Sequence, residues 1–259
     1  FKQKTAYEIS LGLVGSEMCI RDRFMLTTLI ISDLHLTYVE EDKIDFFANF
    51  CKKYASKADQ LFILGDLFNT WIGDDVSLVS YKAIIEILKD LTKTTNVFVM
   101  AGNRDFLLSK QFELESGCEI INEPFVLEHN SKKFLLIHGD SLCTDDVSYQ
   151  KLKRVLRNPL TQFIFLKLSK NVRLKLTGQL RKKSIEAQSY KSAEIMDVNQ
   201  SATDKLMSNY PGFDLIHGHT HRQNTHTQKS YTRHVLGDWS NSIGNVIKLS
   251  DKLEWLEIN

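Results

Sequence analysis

The chain has 259 residues, of which 42% are apolar and 25% charged, and its formal net charge is +1. This composition is typical of a globular protein and excludes fibrous and low-complexity classes. The length suffices for one large domain or for one domain that carries an insertion. No stretch approaches the roughly 18 consecutive apolar residues that a membrane-spanning helix needs. The four cysteines are widely separated and form no CxxC pair, which favours reduced thiols in a cytosolic protein over a zinc site.

The first 23 residues differ from the rest. Acidic residues interrupt their short apolar run, and no signal-peptide cleavage site follows it. The stretch AYEISLGLVGSEMCIRDR resembles translated sequencing-adaptor sequence, and a strand pattern begins directly after Met25. We therefore expect residues 1–23 to be a non-native tail whose removal leaves activity unchanged, and residues 24–259 to form the domain.

Short apolar strands alternate with longer helical patterns along the chain. The patterns predict, in order, strand 26–31, helix 43–54, strand 60–64, helix 80–93, and strands 97–100, 134–137 and 213–216. Three late segments, 232–236, 245–249 and 253–258, are expected to be antiparallel strands that close a second sheet. The early strands end in loops rich in Asp, His, Asn and Gly. Ligands of open α/β sheets collect at the carboxyl ends of strands, so these loops predict the site.

An unusually basic segment, 147–185, lies between two of these strands. It has no Asp or Glu and contains eleven basic residues: Lys151, Lys153, Arg154, Arg157, Lys167, Lys170, Arg173, Lys175, Arg181, Lys182 and Lys183. Of the 29 basic residues beyond the tail, 18 remain elsewhere, against 29 acidic ones. Apolar residues recur at helical spacing, which predicts two or three amphipathic helices. We expect an inserted helical cap over 147–210.

Three interpretations of the basic insertion stand side by side. A solvated helical face is the simplest. Nucleic-acid binding suits the charge, but the segment lacks aromatic residues interleaved for base stacking. An anionic membrane surface suits both the charge and the apolar stripe, because basic amphipathic helices bind such surfaces. We favour the membrane surface and expect no nucleic-acid partner, although the stripe can also be packing between the cap helices.

Five short loops carry the residues that indicate chemistry. They are Ser32-Asp33-Leu34-His35, Gly65-Asp66, Gly102-Asn103-Arg104-Asp105, His138-Gly139-Asp140 and His217-Gly218-His219-Thr220-His221. One such loop alone says little, because an Asp after a strand is often a turn residue. All five in this order and at this spacing are far more specific.

Carboxylate, amide and imidazole groups in this number suit a pair of divalent cations. An anionic phosphodiester or pyrophosphate resists attack by an anionic nucleophile. Two cations roughly 3.5–4 Å apart neutralise its oxygens and lower the pKa of a bound water to about 7. No thiolate accompanies the oxygen and imidazole groups, so Mn²⁺ or Fe²⁺ fits better than structural zinc. The loops therefore predict a two-metal hydrolase of phosphoesters.

The five loops resemble the signature of the calcineurin-like metallophosphoesterases. This resemblance implies an α/β fold, a four-layer α-β-β-α sandwich with an inserted helical cap. It implies that one cation is held by Asp33, His35, Asp66 and His221, and the other by Asp66, Asn103, His138 and His219. The carboxylate of Asp66 is the bridge between the two cations.

The third loop departs from much of that superfamily. Many members place His directly after the Asn, where it can serve as an acid, whereas this chain has Arg104. Because Arg does not release a proton at working pH, the predicted role of Arg104 is charge stabilisation at the phosphate. The predicted catalytic residues are Asp66, Asn103 and Arg104.

Further segments narrow the resemblance to the UDP-2,3-diacylglucosamine diphosphatases of bacterial lipid A biosynthesis. They are GDLFNTWIGDD (65–75), LCTDD (142–146), KSAEIMDVNQ (191–200), HGHTHR (217–222) and LGDW (236–239). The resemblance implies water attack at the α-phosphorus of UDP-2,3-diacylglucosamine, which gives 2,3-diacylglucosamine 1-phosphate and UMP. It also implies two Mn²⁺ and peripheral attachment to the cytoplasmic face of the inner membrane. The alternative is another calcineurin-like enzyme that acts on a soluble nucleotide or phosphoprotein.

The same resemblance implies a set of substrate contacts. They are Asn103, Arg104, Asp146, Ser184, Gln188, Lys191 and His219, with Gln188 standing where the family has Asn. Several other polar and aromatic residues receive structural predictions. We expect supporting roles for Asp105, Asp140 and His217, packing roles for Trp71 and Trp239, and ordinary surface or loop positions for His129, His226 and His234.

Overall fold

The computed structural model describes residues 26–190, 195 and 197–259, without the side chains of 188 and 189. The predicted tail 1–23 lies outside these residues, as does the substrate contact predicted for Lys191. The contact predicted for Gln188 also lies outside them, because only the backbone of that residue is described.

The described residues form eight α-helices and eleven strands, besides two short 3-10 helices. The helices are α1 (Glu41–Lys53), α2 (Asp74–Ser80), α3 (Lys82–Leu91), α4 (Lys110–Ser116), α5 (Val147–Leu156), α6 (Pro159–Lys167), α7 (Lys170–Ser189) and α8 (Gln200–Met207). The strands are β1 (Thr28–Ile31), β2 (Gln60–Leu64), β3 (Asn96–Met100), β4 (Glu119–Ile121), β5 (Phe125–His129), β6 (Lys132–Ile137), β7 (Phe213–His217), β8 (Asn224–Thr227), β9 (Thr232–Val235), β10 (Gly244–Leu249) and β11 (Leu253–Ile258). Strands β2 and β11 match their predicted bounds, whereas the short strands β4, β5 and β8 gave no pattern that we recognised.

The strands form two sheets. The first has the order β11-β10-β1-β2-β3-β4, and β1 to β4 run parallel. The second has the order β5-β6-β7-β9-β8, with β6, β7 and β9 parallel. In both sheets the parallel strands are neighbours, so their carboxyl ends share an edge.

The prediction for the three late segments was wrong in part. Strands β10 and β11 are antiparallel, but they extend the first sheet beside β1. Strand β9 belongs to the second sheet, where it runs parallel to β7. Alternating apolar residues identify a strand, but they do not identify its neighbour.

Alternate residues of each central strand pack on opposite faces, as the two-residue period of a strand requires. In β1, Ile30 packs between the sheets, whereas Leu29 and Ile31 pack against helices. In β6, Leu136 likewise faces the first sheet, and Leu135 packs toward α8. Three apolar layers therefore separate four layers of secondary structure. The predicted four-layer α-β-β-α sandwich is confirmed.

The region predicted as a cap divides into two parts. Helices α5, α6 and α7 expose most of their apolar side chains, and the name "cap" is kept for these three helices alone. Helix α8 instead packs Met207 and Leu206 into the core of the second sheet, which assigns it to the sandwich. The prediction of a cap that reaches residue 210 therefore needs this correction. Within the described residues, no helix has the length and apolar character needed to cross a membrane.

Candidate metal centre

The five predicted loops meet at one edge of the sandwich. Three of them follow β1, β2 and β3 of the first sheet, and two follow β6 and β7 of the second. Backbone hydrogen bonds join neighbouring loops: Asp33 N donates to Gly65 O at 3.2 Å, and Gly218 N donates to His138 O at 3.0 Å. The parallel central strands of both sheets thus deliver loops that are distant in sequence to the same place.

Five of the seven predicted metal ligands have a left-handed backbone. They are Asp33, His35, Asp66, His219 and His221, with φ between 49° and 67°. Residues other than glycine adopt this conformation uncommonly and at a cost of order 1–3 kcal/mol each when strained. Five left-handed residues in the loops that follow the strands of the two sheets indicate that the backbone bends there to turn these side chains inward.

The first compact group of potential ligands joins Asp33, His35 and His221. The Nε2 atoms of the two imidazoles lie 3.2 Å apart. Asp33 Oδ1 lies 3.4 Å from His221 Nε2 and 3.9 Å from His35 Nε2. Three donor atoms from loops 186 residues apart in the chain therefore face one point.

The second compact group joins Asp33, Asp66 and His138. Asp66 Oδ1 lies 3.9 Å from His138 Nε2, and Asn103 Oδ1 lies 3.0 Å from the same nitrogen. The ring of His219 packs on that of His138 with centroids 5.0 Å apart. The structure thus gathers the four groups predicted to hold the second cation, although His219 stands beside the compact group rather than within it.

Two carboxylates lie between the groups. Asp33 belongs to both of them. Asp66 reaches both sides as well, because its Oδ2 lies 3.7 Å from His35 Nδ1 and its Oδ1 faces His138. Asp66 remains the predicted bridge, and Asp33 has a comparable position that the sequence did not single out.

The ligand loops are fixed by short polar contacts. Asp33 Oδ2 accepts hydrogen bonds from Ser32 Oγ and from His219 N, both at 2.7 Å. A Cβ on Gly218 would overlap Ser32 Oγ and Asp33 Oδ2, so only glycine permits this approach. Asp33 Oδ1 is left to face the imidazoles.

The third loop is held by Asp105, as predicted for a supporting residue. Its buried carboxylate accepts from Gly102 N at 2.7 Å and from Phe68 N at 3.2 Å. This fixes the turn from which Asn103 projects and ties it to the loop after β2. The backbone N–H of Arg104 then donates to Asp66 Oδ1 at 2.9 Å.

The donor set fits divalent cations. Asp33 Oδ1 and His35 Nδ1 are buried and have no hydrogen-bond partner among the described residues. A buried unpaired polar atom is costly, and a cation bound at the cluster would remove that cost for the carboxylate oxygen. Carboxylate, amide and imidazole groups without thiolate suit a transition ion such as Mn²⁺ or Fe²⁺.

Charges within the cluster pull the pKa values in different directions. Burial alone would lower the pKa of His138, but the carboxylates of Asp66 and Asp33 raise it to about 9. Burial would also lower the pKa of His221, which hydrogen bonds to Asp238 and Asp33 raise to about 9. Burial raises the pKa of Asp66 to about 7. Without a cation these groups share protons, and a divalent cation would replace them as the counter-charge.

Two guanidinium groups converge beside Asp66. Arg104 Nη1 donates to Asn69 Oδ1 at 2.8 Å, and Arg181 Nη2 from α7 donates to the same oxygen at 2.7 Å. Arg104 Nε also lies 3.5 Å from Asp66 Oδ2. The sequence gave Arg181 no role beyond its charge and gave Asn69 none, although Asn69 lies inside the quoted segment 65–75. The guanidinium groups of Arg104 and Arg181 together form a cationic wall next to the metal ligands.

Asp140 ties the cap to the site. Its buried carboxylate accepts from Tyr149 Oη at 2.7 Å and lies 2.9 Å from Lys153 Nζ and 3.5 Å from Arg157 Nη2. Arg157 Nη2 also donates to Gly102 O at 3.0 Å. The predicted supporting role of Asp140 therefore takes a specific form, an ionic anchor for α5.

The remaining predicted substrate contacts lie on the cap. Asp146 caps α5, accepting from Tyr149 N at 3.0 Å, and Ser184 is exposed on α7. The substrate contacts of Asp146 and Ser184 remain predictions.

The structural roles expected for other residues hold in part. Trp71 and Trp239 are buried in the core, as expected. His217 is buried and lies behind its loop, with Nδ1 bonded to Gly218 O. The expectation of surface or loop positions was wrong for His129 and His234, because both are buried and lie in strands β5 and β9. The sequence pattern of a strand does not show whether another sheet or a turn covers its polar residues, so the burial of these two histidines was missed.

The fold and the loops agree with a family comparison. The sequence profile described as calcineurin-like phosphoesterase matches residues 26–223, a range that includes all seven predicted ligands. The chain belongs to the calcineurin-like phosphoesterases, which implies a divalent metal at this site.

Named relatives refine this assignment. The "UDP-2,3-diacylglucosamine hydrolase" of Haemophilus influenzae (strain PittGG) is 39% identical over 236 residues, which cover 89% of this chain and 98% of the relative. The protein of that name from Serratia proteamaculans (strain 568) is 40% identical over 238 residues, which cover 90% and 99%. Among solved structures, an archaeal phosphodiesterase aligns over 90% of this chain and 99% of its own at 16% identity and a TM-score of 0.46, too distant to bear on function. Within the calcineurin-like phosphoesterases, the chain is a member of the family of UDP-2,3-diacylglucosamine hydrolases.

Proposed function

We propose that this protein hydrolyses the pyrophosphate bond of UDP-2,3-diacylglucosamine, by water attack at the α-phosphorus, to 2,3-diacylglucosamine 1-phosphate and UMP in lipid A biosynthesis. The observation that carries the proposal is the cluster of two carboxylates, an amide and four imidazoles at one edge of the sandwich. The identity of the substrate comes from the names of the relatives, which align over nearly their whole length.

We assign two Mn²⁺ to the cluster, with Fe²⁺ as the alternative. Asp33, His35, Asp66 and His221 would hold one ion, and Asp66, Asn103, His138 and His219 the other. The bound ions would neutralise phosphate oxygens and supply an activated water. Four imidazoles with oxygen donors favour Mn²⁺ or Fe²⁺ over Mg²⁺, which prefers an all-oxygen shell.

The protein itself supplies charge and orientation. Arg104, held between Asn69 and Asp66, would place a fixed cation against the pyrophosphate as negative charge develops on it. Arg181 shares the Asn69 oxygen, so a second cation lies on the same wall. A pyrophosphate carries two phosphoryl groups, and two preset guanidinium groups suit it better than one. Asp105 holds the third ligand loop in place, and Asp140 holds the cap against the sandwich.

The cap would hold the acyl chains and face an anionic membrane surface. Six residues of the predicted apolar stripe are exposed, which supports a role for them beyond packing between the cap helices: Leu160, Phe163, Ile164, Val172, Leu176 and Leu180. Seven of the eleven basic residues of the cap are exposed too, whereas Lys153, Arg157, Arg173 and Arg181 contact the sandwich. Exposed apolar side chains among cations match the chemistry of an anionic lipid layer. With the cap on such a layer, the enzyme would lie peripherally on the cytoplasmic face of the inner membrane.

Substrate turnover tests the enzymatic proposal. Purified protein freed of metal and reloaded with Mn²⁺ should release UMP from UDP-2,3-diacylglucosamine, and chelation should abolish that release. Activity confined to soluble nucleotides or phosphopeptides would instead support the alternative calcineurin-like enzyme. A steeply salt-dependent affinity for RNA or DNA without any hydrolysis would overturn the enzymatic assignment.

Vesicle binding tests the membrane proposal. A triple variant, Leu160→Gln, Phe163→Gln and Ile164→Gln, should lose most binding to vesicles that contain phosphatidylglycerol. Val79→Gln is a matched control, because Val79 is exposed but lies on α2 outside the cap. Equal binding of the wild type and the triple variant would refute the cap as the membrane surface. Binding that is insensitive to salt and to anionic lipid would refute the role of the cations.

A further inference from the structure

His221 is held from behind by a carboxylate that lies outside the five ligand loops. Asp238 Oδ2 lies 3.5 Å from His221 Nδ1. The other ring nitrogen, Nε2, faces Asp33 Oδ1 at 3.4 Å. Asp238 follows β9 and lies beyond residue 223, where the family match ends. One nitrogen of His221 is thus directed at the metal cluster and the other at Asp238.

The backbone that carries Asp238 is tied to the metal centre. Leu236 N donates to His217 O at 2.7 Å, and Trp239 N donates to Asp33 O at 3.2 Å. The ring of Trp239 packs against Phe46, Phe47 and Phe50. The carboxylate is half-exposed, but these contacts on both sides hold its backbone in place. It therefore differs from a freely moving acid on the surface.

The partner of Nδ1 differs among the imidazoles of the cluster. His138 Nδ1 lies 2.8 Å from the backbone oxygen of Leu64, whereas His221 Nδ1 faces a carboxylate. A carboxylate that accepts the Nδ1 proton leaves the lone pair on Nε2, orients the ring and makes Nε2 a stronger electron donor. Such outer carboxylates typically contribute 10- to 100-fold to metal affinity.

We propose that Asp238 is a positioning residue that orients His221 and strengthens its Nε2 as a metal ligand. Asp238 contacts neither a cation nor the substrate and acts through the imidazole. The inference rests on the metal centre of the proposed function, but not on the identity of the substrate.

Metal titration of the apoprotein with Mn²⁺ alone tests this role. Electron paramagnetic resonance of free Mn²⁺ would give the affinities of both sites. Asp238→Ala should weaken one site about 10- to 100-fold and leave the other within about twofold. Asp238→Asn keeps an acceptor but loses the charge, so it should fall between Asp238→Ala and the wild type. Asp251→Ala, an exposed Asp in the β10–β11 turn, is the matched control and should change neither site.

A double-mutant cycle makes the test specific to His221. Once His221→Ala has removed the ring, adding Asp238→Ala should weaken Mn²⁺ binding no further. Additive losses would overturn the proposal. So would unchanged affinities in Asp238→Ala, or equal weakening of both sites with a lower unfolding temperature of the apoprotein, because the latter indicates a structural role. Wild-type protein that binds two Mn²⁺ but fails to cleave UDP-2,3-diacylglucosamine would refute the proposed function and leave this inference standing.

Discussion

The metal centre, called the floor below, and the cap use charged residues in opposite ways. On the floor, Asp33, Asp66 and His138 are buried and fixed by backbone donors and strand-end loops. On the cap, most charges are exposed, and a few arginines and lysines attach the helices to the sandwich. Burial strengthens electrostatic interactions and requires accurate placement of the interacting groups. Exposed charges interact weakly and can change their conformation. Under the proposed function, this contrast separates the part that would perform the chemistry from the part that would contact a lipid.

The largest expected effect lies on the floor. Asp66→Ala removes the carboxylate that reaches both ligand groups, so activity should fall more than about a thousandfold, equivalent to over ~4 kcal/mol of transition-state stabilisation. Turnover and bound metal, measured by elemental analysis, would check this. Glu257→Ala, which removes an exposed carboxylate from β11, should change neither. If Asp66→Ala retained two metal ions and normal turnover, the floor would not be the catalytic region.

Arg104 lies at the boundary between floor and cap. Arg104→Ala should lower kcat about 100- to 1,000-fold, the usual cost of one preset donor to developing charge, and leave metal content unchanged. Arg104→Lys keeps the charge but cannot bond Asn69 and the phosphate with the same planar geometry, so it should recover only part of the rate. Loss of metal in parallel with activity would assign Arg104 to the floor as a structural residue.

Arg173 tests how the cap is attached. Its buried guanidinium donates to Ile72 O at 2.7 Å and pairs with Asp75. Arg173→Met should destabilise this attachment by about 1–2 kcal/mol, because the buried carbonyl oxygen of Ile72 loses its donor. The open form should then increase about five- to thirtyfold, and trypsin cleavage in the α6–α7 turn should accelerate to match.

The exposed Lys175, two residues later on α7, provides the control. Lys175→Met should leave the cleavage rate unchanged apart from the lost site itself. Mn²⁺ binding should be unaffected in both variants. If Arg173→Met weakened Mn²⁺ binding, the attachment of the cap would contribute to metal binding on the floor, contrary to the separation of the two regions.

The smallest expected effect concerns the stability of the fold and a residue that belongs to neither region. Burial lowers the pKa of His234 below its ordinary value of 6.5, so the folded state binds this proton more weakly than the unfolded chain. Above pH 6.5 neither state holds the proton and nothing changes. As the pH falls below 6.5 the unfolded state is protonated first and stability is lost, by at most about 1.4 kcal/mol per pH unit for one group.

Urea unfolding between pH 5 and pH 7 checks this effect. His234→Gln should flatten the loss of stability on acidification. Thr225→Val removes the hydroxyl that lies 3.2 Å from His234 Nδ1 but keeps the titrating ring, so it should retain the slope. An unchanged slope in His234→Gln would assign the acid sensitivity to the floor instead.

The sequence determined the kind of site and the class of fold. Strand β2 and the loops of Asp33, Asp66 and His138 followed from apolar runs that stop at polar residues. This worked because a strand buried on both faces has a continuous apolar pattern, and its loop carries the ligands. The basic cap was equally visible, since charge and helical spacing are properties of the local chain.

Tertiary structure alone decided which distant groups meet. Asn69 and Arg181 are 112 residues apart in the chain, and no local pattern indicates that they share a hydrogen bond beside Arg104. The pairing of β10 with β1 and the placement of Asp238 behind His221 likewise depend on how the two sheets stack. Local residues fix periodicity and turn chemistry, whereas side-chain convergence depends on packing across the whole domain.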